Sequence, residues 1–355
     1  MPIETSPERD CGEPEAEDLR KLVAQTEVIT SVADFVRVVH AITDTWHAVD
    51  KEDYDGDAER ILDNSKLVGE VWFRGHRTCD LSLRPGLYRE STIEEVLKPR
   101  AKERWAEKYE PFLFQELIDA EHELRIDFIS YGHLLNQVGQ AKNQIDWYFL
   151  MQHHGVPTRL LDWTTNALAA LFFALDDYAR HKSSDQSPAS AEEHGRRYDC
   201  VAVWMIDAYW LASHLSEDWG SPLLPWSEDA LLYVPPLEQL LEKENMSKKL
   251  IPEIPMPIEP PAMHPRVAAQ EGRFIIFGRR QELLDEEIHR ERGRDCQLEE
   301  SRIVQIRFQP SDVHALFEEL ASLGISRRTL FPDLGGLADF IRWKRFHKPG
   351  PVIKS

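Results

Sequence analysis

Apolar residues gather in short runs that predict the strands of a sheet. Residues 71–76 combine Val, Trp and Phe and are bounded by Gly, and residues 200–206 form a continuous apolar run between two aspartates. Such runs are typical of buried strands. Two further segments follow the same pattern, so the sequence predicts four strands: residues 71–76, 200–206, 274–278 and 302–308.

Other segments carry apolar residues at helical spacing. In residues 23–46, Val32, Phe35 and Val39 recur every three or four positions, which predicts an amphipathic helix with Ser31 as its cap. The same spacing predicts helices over residues 93–106, 112–135, 311–323 and 338–345. Long connections rather than tight hairpins separate the strands, so the predicted class is α+β.

Residues 146–174 interleave apolar and reactive side chains more densely than any other stretch. A short helix over residues 146–152 is ended by Gly155 and Pro157, and residues 158–163 then cross in extended form. A second helix, residues 167–175, is apolar on every side and is therefore predicted to be buried, with Thr164, Thr165 or Asn166 as its cap. The turn between them places polar groups at the edge of the core: His153, His154, Arg159 and Asp162.

Polar groups in such a position are costly unless they are paired or face a cleft, since burying one without a partner costs about 2–7 kcal/mol. Arg159 and Asp162 could form a structural ion pair, and Asp162 could instead cap the following helix. Two adjacent histidines and a tryptophan within ten residues favour a functional site over both alternatives.

Charge and composition narrow the function. The formal net charge of −20 over 355 residues argues against a broad nucleic-acid surface. Within this acidic chain, Arg74, Arg77, Arg84 and Arg89 form a local positive cluster, which favours a small anion such as a phosphate or pyrophosphate.

The four cysteines are far apart and show neither zinc-ligand spacing nor the framework of a small disulfide-rich protein. We therefore expect a reducing, cytoplasmic location and no metal. The first residues lack the pattern of a signal peptide, and no apolar run is long enough to span a bilayer, so no membrane partner is expected.

The same patterns suggest a division of the chain. We predict an acidic tail, a helical segment that packs on the core, one large domain with two insertions, and a second tail. In order, these are residues 1–22, 23–66, 67–346 with insertions at about 180–198 and 216–263, and 347–355.

Several motifs, taken in order, resemble the FRG domain family, which is named for a tripeptide that here is Phe73-Arg74-Gly75. They continue with residues 152–164 (QHHGVPTRLLDWT), Arg266 with Gln270-x-Gly272, and residues 330–338 (LFPDLGGLA). The motif order is similar to that of ADP-ribosyltransferases. This similarity implies a split mixed β-sheet surrounded by helices, with NAD bound as substrate between the halves of the sheet.

Cleaving the nicotinamide–ribose bond needs a cation for the pyrophosphate, an aromatic wall and an acceptor near the ribose. Together with the resemblance, this chemistry implies a set of cofactor-binding residues: Arg74, Gly75, Tyr148, His153, Arg159, Trp163 and Thr164. The expected catalytic residues are His154, Asp162, Gln270 and Glu271. Arg74→Ala is expected to abolish nucleotide binding while the melting temperature changes by only a few degrees.

The third motif departs from the transferase pattern. It has an amide at Gln270 where transferases carry a glutamate, and the neighbouring Glu271 would point the opposite way if it already lay in the strand. Gln270 could equally close a turn through a backbone hydrogen bond. Either Asp162 or Glu271 supplies the carboxylate, or the site binds a nucleotide without cleaving it.

Two functions therefore remain from the sequence. The first is NAD-dependent ADP-ribosyl transfer or NAD cleavage, with a protein or a nucleic acid as acceptor. The FRG resemblance implies a setting in bacterial defence or toxin systems. The second is a non-catalytic module that senses a nucleotide or a nucleic-acid end. A third function, hydrolysis of a nucleic acid or transfer to it, has less support than these two, because the negative net charge opposes broad contact with a nucleic acid.

Overall fold

A single sheet organises the protein in the computed structural model. The structure describes residues 23–24, 29–52, 70–97, 110–133, 135, 141–184, 200–216, 220–237, 251–261, 265–284, 302–310 and 313–346. Within these residues the strands are β1 (Val23–Ala24), β2 (Val71–His76), β3 (Leu160–Thr164), β4 (Val201–Asp207), β5 (Met256–Ile258), β6 (Gly272–Ile276) and β7 (Ile303–Phe308).

Eleven α-helices lie in the same described residues. They are α1 (Val32–Glu52), α2 (Glu90–Leu97), α3 (Glu110–Gly132), α4 (Gln144–His153), α5 (Ala167–Ser184), α6 (Ala208–Leu215), α7 (Glu228–Tyr233), α8 (Pro265–Ala269), α9 (Val313–Ser322), α10 (Arg327–Leu330) and α11 (Leu334–Phe346). A short 3-10 helix, Gly86–Tyr88, precedes α2. None of these helices has the length and hydropathy that crossing a bilayer requires.

The strand order is β1-β7-β4-β2-β3-β6-β5, and every pairing except the parallel β1–β7 is antiparallel. β2 pairs with β4 along its whole length, and β3 does the same with β6. β2 and β3 pair with each other only where Phe73 faces Thr164. The sheet therefore consists of two halves joined at one point, and beyond that point β2 and β3 diverge as a fork.

The two faces of the sheet bury separate apolar layers, because successive side chains of a strand point to opposite sides. Phe73 packs with the apolar residues of α5, α1 and α9 on one face. Trp72 lies on the other face, against the 3-10 helix, α3 and α6. The helix predicted over residues 167–175 is confirmed as the first half of α5, and its burial between sheet and α9 explains why it is apolar all round.

The four predicted strands are present, but some boundaries of strands and helices were wrong. Val23–Ala24 is a strand, and the helix predicted from residue 23 begins only at Val32. The final helix begins at Leu334 rather than residue 338, since an Asp333 carboxylate oxygen accepts the Gly336 amide at 2.8 Å and starts the first turn. The Ser311 cap and the helix beyond Leu97 lie outside the described residues.

The cysteine spacing gave no indication of a disulfide, yet the structure contains one. Cys79 and Cys200 form a disulfide, although 121 residues separate them. Spacing along the chain carries no signal for a pair that the sheet brings together. Cys11 and Cys296 lie outside the described residues.

Candidate functional site

The fork between β2 and β3 holds a charged cluster built around Arg74. Its Nε donates to His76 Nε2 at 3.0 Å, and its Nη1 donates to the Asp162 carbonyl at 2.5 Å. The same Nη1 lies 3.8 Å from the Asp162 carboxylate. Nη2 makes no hydrogen bond or ion pair with a residue that the structure describes, and the side chain is 15% exposed. Arg74 therefore offers one edge of its guanidinium to a ligand.

His76 supports this arginine as a neutral imidazole. Burial lowers the pKa of His76 well below 6.5, and the charges of Arg74 and Arg89 lower it further. A neutral ring leaves Nε2 free to accept the Arg74 Nε–H. Burial also lowers the pKa of Arg74 to about 10, and the Asp162 charge partly opposes this shift. Arg74 is therefore still a cation at neutral pH.

Asp162 faces the fork with its carboxylate 56% exposed. Gln152, from the end of α4, donates its Nε2 to the Asp162 carboxylate at 2.9 Å. The Thr158 hydroxyl donates to Gln152 Oε1 at 2.6 Å, which orients the amide. This chain of hydrogen bonds holds the carboxylate beside Arg74, where it can interact with positive charge or accept a proton.

The alternatives considered for Asp162 are not realised. Arg159 pairs with Glu121, so it forms no ion pair with Asp162. Asn166 caps α5, since its Oδ1 accepts the amides of residues 168 and 169. The Asp162 carboxylate therefore interacts with Arg74 and accepts a hydrogen bond from Gln152.

Further cations border the fork. Arg77 forms an ion pair with Asp177 of α5 at 3.2 Å. The charges of Arg77 and the exposed Arg89 both reach His76. Of the four arginines in the predicted positive cluster, three have charges that act on His76, namely Arg74, Arg77 and Arg89, and Arg84 is not among them.

Gly75, the third residue of the tripeptide, lies against α5. A Cβ built on it would be 2.1 Å from the carbonyl oxygen of Ala170 and 2.7 Å from the amide of Ala174. The absence of a side chain at Gly75 lets α5 approach β2 closely. Gly75 faces the helix, so it lies on the opposite side of the strand from Arg74.

Arg159 and Tyr148 are sealed inside the protein. Arg159 is 1% exposed, and its guanidinium donates to Glu121 at 2.9 Å and to the carbonyls of Phe277 and Tyr233 at 3.0 and 2.5 Å. The Tyr148 hydroxyl donates to Glu121 and accepts the Arg159 amide. Burial, followed by the Glu121 charge, raises the pKa of Tyr148 well above 10. Both side chains brace the segment that leads into β3.

Trp163 is buried on the face of the sheet that carries Trp72. It packs in the apolar layer with Leu161 and Ile275, and its Nε1 has no partner among the described residues. Neither Trp163 nor Tyr148 exposes a ring face to solvent. The aromatic wall expected for nicotinamide is therefore not formed by these two rings.

Gln270 lies beyond the junction of the two halves of the sheet. Its carbonyl accepts the Thr164 hydroxyl at 2.6 Å, and its side-chain Nε2 donates to the Leu330 carbonyl at 3.0 Å. Arg266 forms an ion pair with Asp333 in the same region. These contacts join β3, α8 and the end of α10.

Glu271 adopts φ 48°, a left-handed conformation that is rare for a residue with a side chain. It lies in the turn before β6, so the alternation expected within a strand does not apply to it. Its carboxylate accepts from the Thr165 hydroxyl at 3.0 Å and from Asn166 Nδ2 at 3.2 Å. It borders a cavity of about 600 Å³ that Glu70 and Arg273 also line. This cavity is at the closed end of the fork, away from Asp162.

The two histidines lie at the C-terminal end of α4. Their rings contact each other with centroids 5.1 Å apart. His154 is exposed and lines a hollow of about 590 Å³ between α3 and α4, which Phe128 and Trp147 also line. The structure thus distributes the predicted site residues among the fork, its closed end, this hollow and the interior.

Three residues at these sites escaped the sequence analysis as site candidates. Gln152 opens the quoted QHHGVP motif, and this position is a signal that could have identified it. His76 follows the FRG tripeptide by one residue and alternates onto the Arg74 side of the strand. Glu121 carried no signal, because it looked like one of many charges on the helix that precedes the motif.

Part of the chain matches a known family. Residues 69–183 match the FRG domain family model, so this stretch of the chain is an FRG domain. It spans β2, α4, β3 and nearly all of α5, and it contains Arg74, Gln152 and Asp162. The motifs at Gln270 and Leu330 lie beyond it. No curated protein and no solved structure matches the chain.

Proposed function

We propose that the FRG domain binds NAD in the fork between β2 and β3 and acts on its nicotinamide–ribose bond, by ADP-ribosyl transfer or by NAD cleavage. The observation that carries the proposal is the pairing, at this fork, of a cation with an open guanidinium edge and an exposed, hydrogen-bonded carboxylate. The division of the sheet into two halves supports the finer assignment to an ADP-ribosyltransferase-like fold.

Arg74 would hold the pyrophosphate. Its Nε and Nη1 donate to groups within the protein, and its Nη2 has no hydrogen-bond partner among the described residues. A charge-assisted hydrogen bond to phosphate at a partly buried site is stronger than one in water. Arg77 and Arg89 add positive potential in a chain whose formal net charge is −20.

Asp162 would act on the ribose. When the nicotinamide–ribose bond breaks, nicotinamide leaves with the bonding electron pair and positive charge develops on the sugar, which a nearby carboxylate stabilises. In NAD cleavage, water adds through its oxygen to the ribose carbon and gives one proton to Asp162. In transfer, the hydroxyl, amine or other nucleophile of a protein or nucleic acid takes the place of water.

A non-catalytic nucleotide-binding module is the second candidate. It is favoured by the positions of Gln270 and Glu271, whose side chains are engaged at the closed end of the fork. If the site is catalytic, the engagement of Gln270 and Glu271 leaves Asp162 as the carboxylate on which catalysis depends. The setting in bacterial defence or toxin systems belongs to the same proposal and rests on the FRG resemblance alone. The cytoplasmic location was predicted from the cysteine spacing, and the Cys79–Cys200 disulfide does not support that ground.

Purified full-length protein incubated with NAD tests both candidates. We expect nicotinamide release by the wild type and its loss in Asp162→Asn, with NAD binding retained. Arg74→Ala should weaken NAD binding more than about tenfold, the value of one charge-assisted hydrogen bond. Arg342→Ala, which removes an exposed arginine on α11, is the matched control and should bind normally.

The outcomes separate the two candidates. Binding without nicotinamide release, with acceptor protein and nucleic acid present, would leave the binding module. If the wild type binds no NAD, as measured by calorimetry, both candidates fail. If Arg74→Ala unfolds, Arg74→Lys keeps the charge and loses the forked geometry, so its NAD affinity is measured instead.

A further inference from the structure

The Cys79–Cys200 disulfide connects the loop after β2 to the first residue before β4. The Cα atoms of the two cysteines are 5.7 Å apart, which is within the range of unstrained disulfides. β4 pairs with β2 along the whole strand, so the two chain segments are held together independently of the sulfur atoms. The pair can therefore stay close in either oxidation state.

Cys79 lies in the loop after β2, which also carries Arg77 beside the charged fork. It lies three residues after His76 and two after Arg77, whose ion pair with Asp177 is described above. Apart from the disulfide, the backbone of Cys79 is held by Gln305, whose Nε2 donates to the Cys79 carbonyl at 3.0 Å. Reduction of the disulfide removes a covalent restraint on the loop, and the backbone position of Arg77 is then less tightly fixed.

The two sulfur atoms differ in access. Cys79 is 9% exposed, whereas Cys200 is half-buried at the start of its strand. An external thiol or disulfide can therefore reach Cys200 first.

We propose that Cys79 and Cys200 are a reversible thiol–disulfide pair that controls the order of residues 77–81 and, through Arg77, the anion affinity of the fork. The oxidant is a low-molecular-weight disulfide. The Cys200 thiolate attacks one of its sulfurs and releases one thiolate, and the Cys79 thiolate then attacks the mixed disulfide and releases the second. Two cysteine thiols are oxidised and the external disulfide is reduced to two thiols.

The test uses full-length protein carrying Cys11→Ser and Cys296→Ser, so that any intramolecular disulfide joins Cys79 to Cys200. With oxidised glutathione, its intact mass should fall by ~2 Da as two hydrogens leave. Hydrogen exchange at residues 77–81 should be about tenfold faster after reduction. Cys200→Ser in the same background is the control and should exchange at the reduced rate under both conditions.

Two results would overturn this inference: a stable glutathione adduct in place of the mass loss, or equal exchange rates at residues 77–81 in the two states. The affinity arm rests on the proposed function, and we expect NAD to bind about fivefold more tightly to the oxidised protein. If NAD binds neither state while exchange differs, the proposed ligand fails and the redox control of the loop stands. Equal NAD affinity in the two states would overturn the coupling to the fork.

Discussion

Two arginines, Arg74 and Arg159, were both expected to bind an anion, and their surroundings give them different roles. Arg159 has its guanidinium satisfied by Glu121 and by two carbonyl groups inside the protein. Arg74 has one nitrogen atom with no partner among the described residues. An anion near Arg159 would have to displace a buried carboxylate, whereas an anion at Nη2 of Arg74 would displace no hydrogen bond to a described residue.

Replacing Arg159 tests its structural role. Arg159→Met leaves the Glu121 charge buried without its partner, and we expect the free energy of unfolding to fall by about 3–5 kcal/mol. Urea denaturation followed by circular dichroism measures the change. Arg159→Met with Glu121→Leu removes both charges and should recover part of the loss. A single variant as stable as the wild type would contradict the buried ion pair.

At the scale of elements, the contact between β2 and α5 explains the glycine of the FRG tripeptide. Glycine lowers the stability of a strand, so its presence in β2 needs a compensating reason. The carbonyl of Ala170 occupies the space where a Cβ would lie. Close packing of α5 keeps Phe73 in the core and sets the position of the neighbouring Arg74.

Gly75→Ala should push α5 away from the sheet. Because the obstructing atoms belong to backbone, we expect a loss of about 3 kcal/mol or more, at the upper end of overpacking costs. Gly86→Ala is the matched control, since a Cβ there would meet nothing closer than 3.6 Å. Its free energy of unfolding, from the same urea titration, should change by less than about 1 kcal/mol. Equal effects in the two variants would remove the steric explanation.

At the scale of the whole molecule, stability depends on pH through groups whose pKa differs between the folded and unfolded states. The pKa of buried His76 is well below 6.5 in the folded protein, so the unfolded chain binds more protons between these two values. The folded state therefore loses stability as pH falls below about 6.5. The lowered pKa values of Asp34 and Asp333 act only below about pH 4, outside this window.

We expect the free energy of unfolding to decrease between about pH 7 and pH 5, with His76 contributing up to about 1.4 kcal/mol per pH unit. His76→Gln keeps an acceptor for Arg74 and should reduce this slope. Urea titrations at several pH values measure it. His40→Gln, at an exposed position on α1, should leave the slope unchanged. An unchanged slope in His76→Gln would mean that His76 titrates equally in both states.

The sequence by itself determined the local elements, because the spacing of apolar residues follows the geometry of a helix or strand. The buried first half of α5 and the four main strands were predicted in this way. The FRG motifs within residues 69–183 were recognised from their residues. The same spacing misplaced the start of α1, since Val23–Ala24 takes its strand form from pairing with the distant β7.

Only the tertiary structure decided the partners of the reactive side chains. Glu121 reaches Arg159 across 38 residues, and Cys79 meets Cys200 across 121. The sheet order brings β2 beside β3 and so puts Arg74 with Asp162, while Gln270 and Glu271 are held beyond the junction. Local periodicity records which face of an element is buried, and long-range packing alone selects what that face touches.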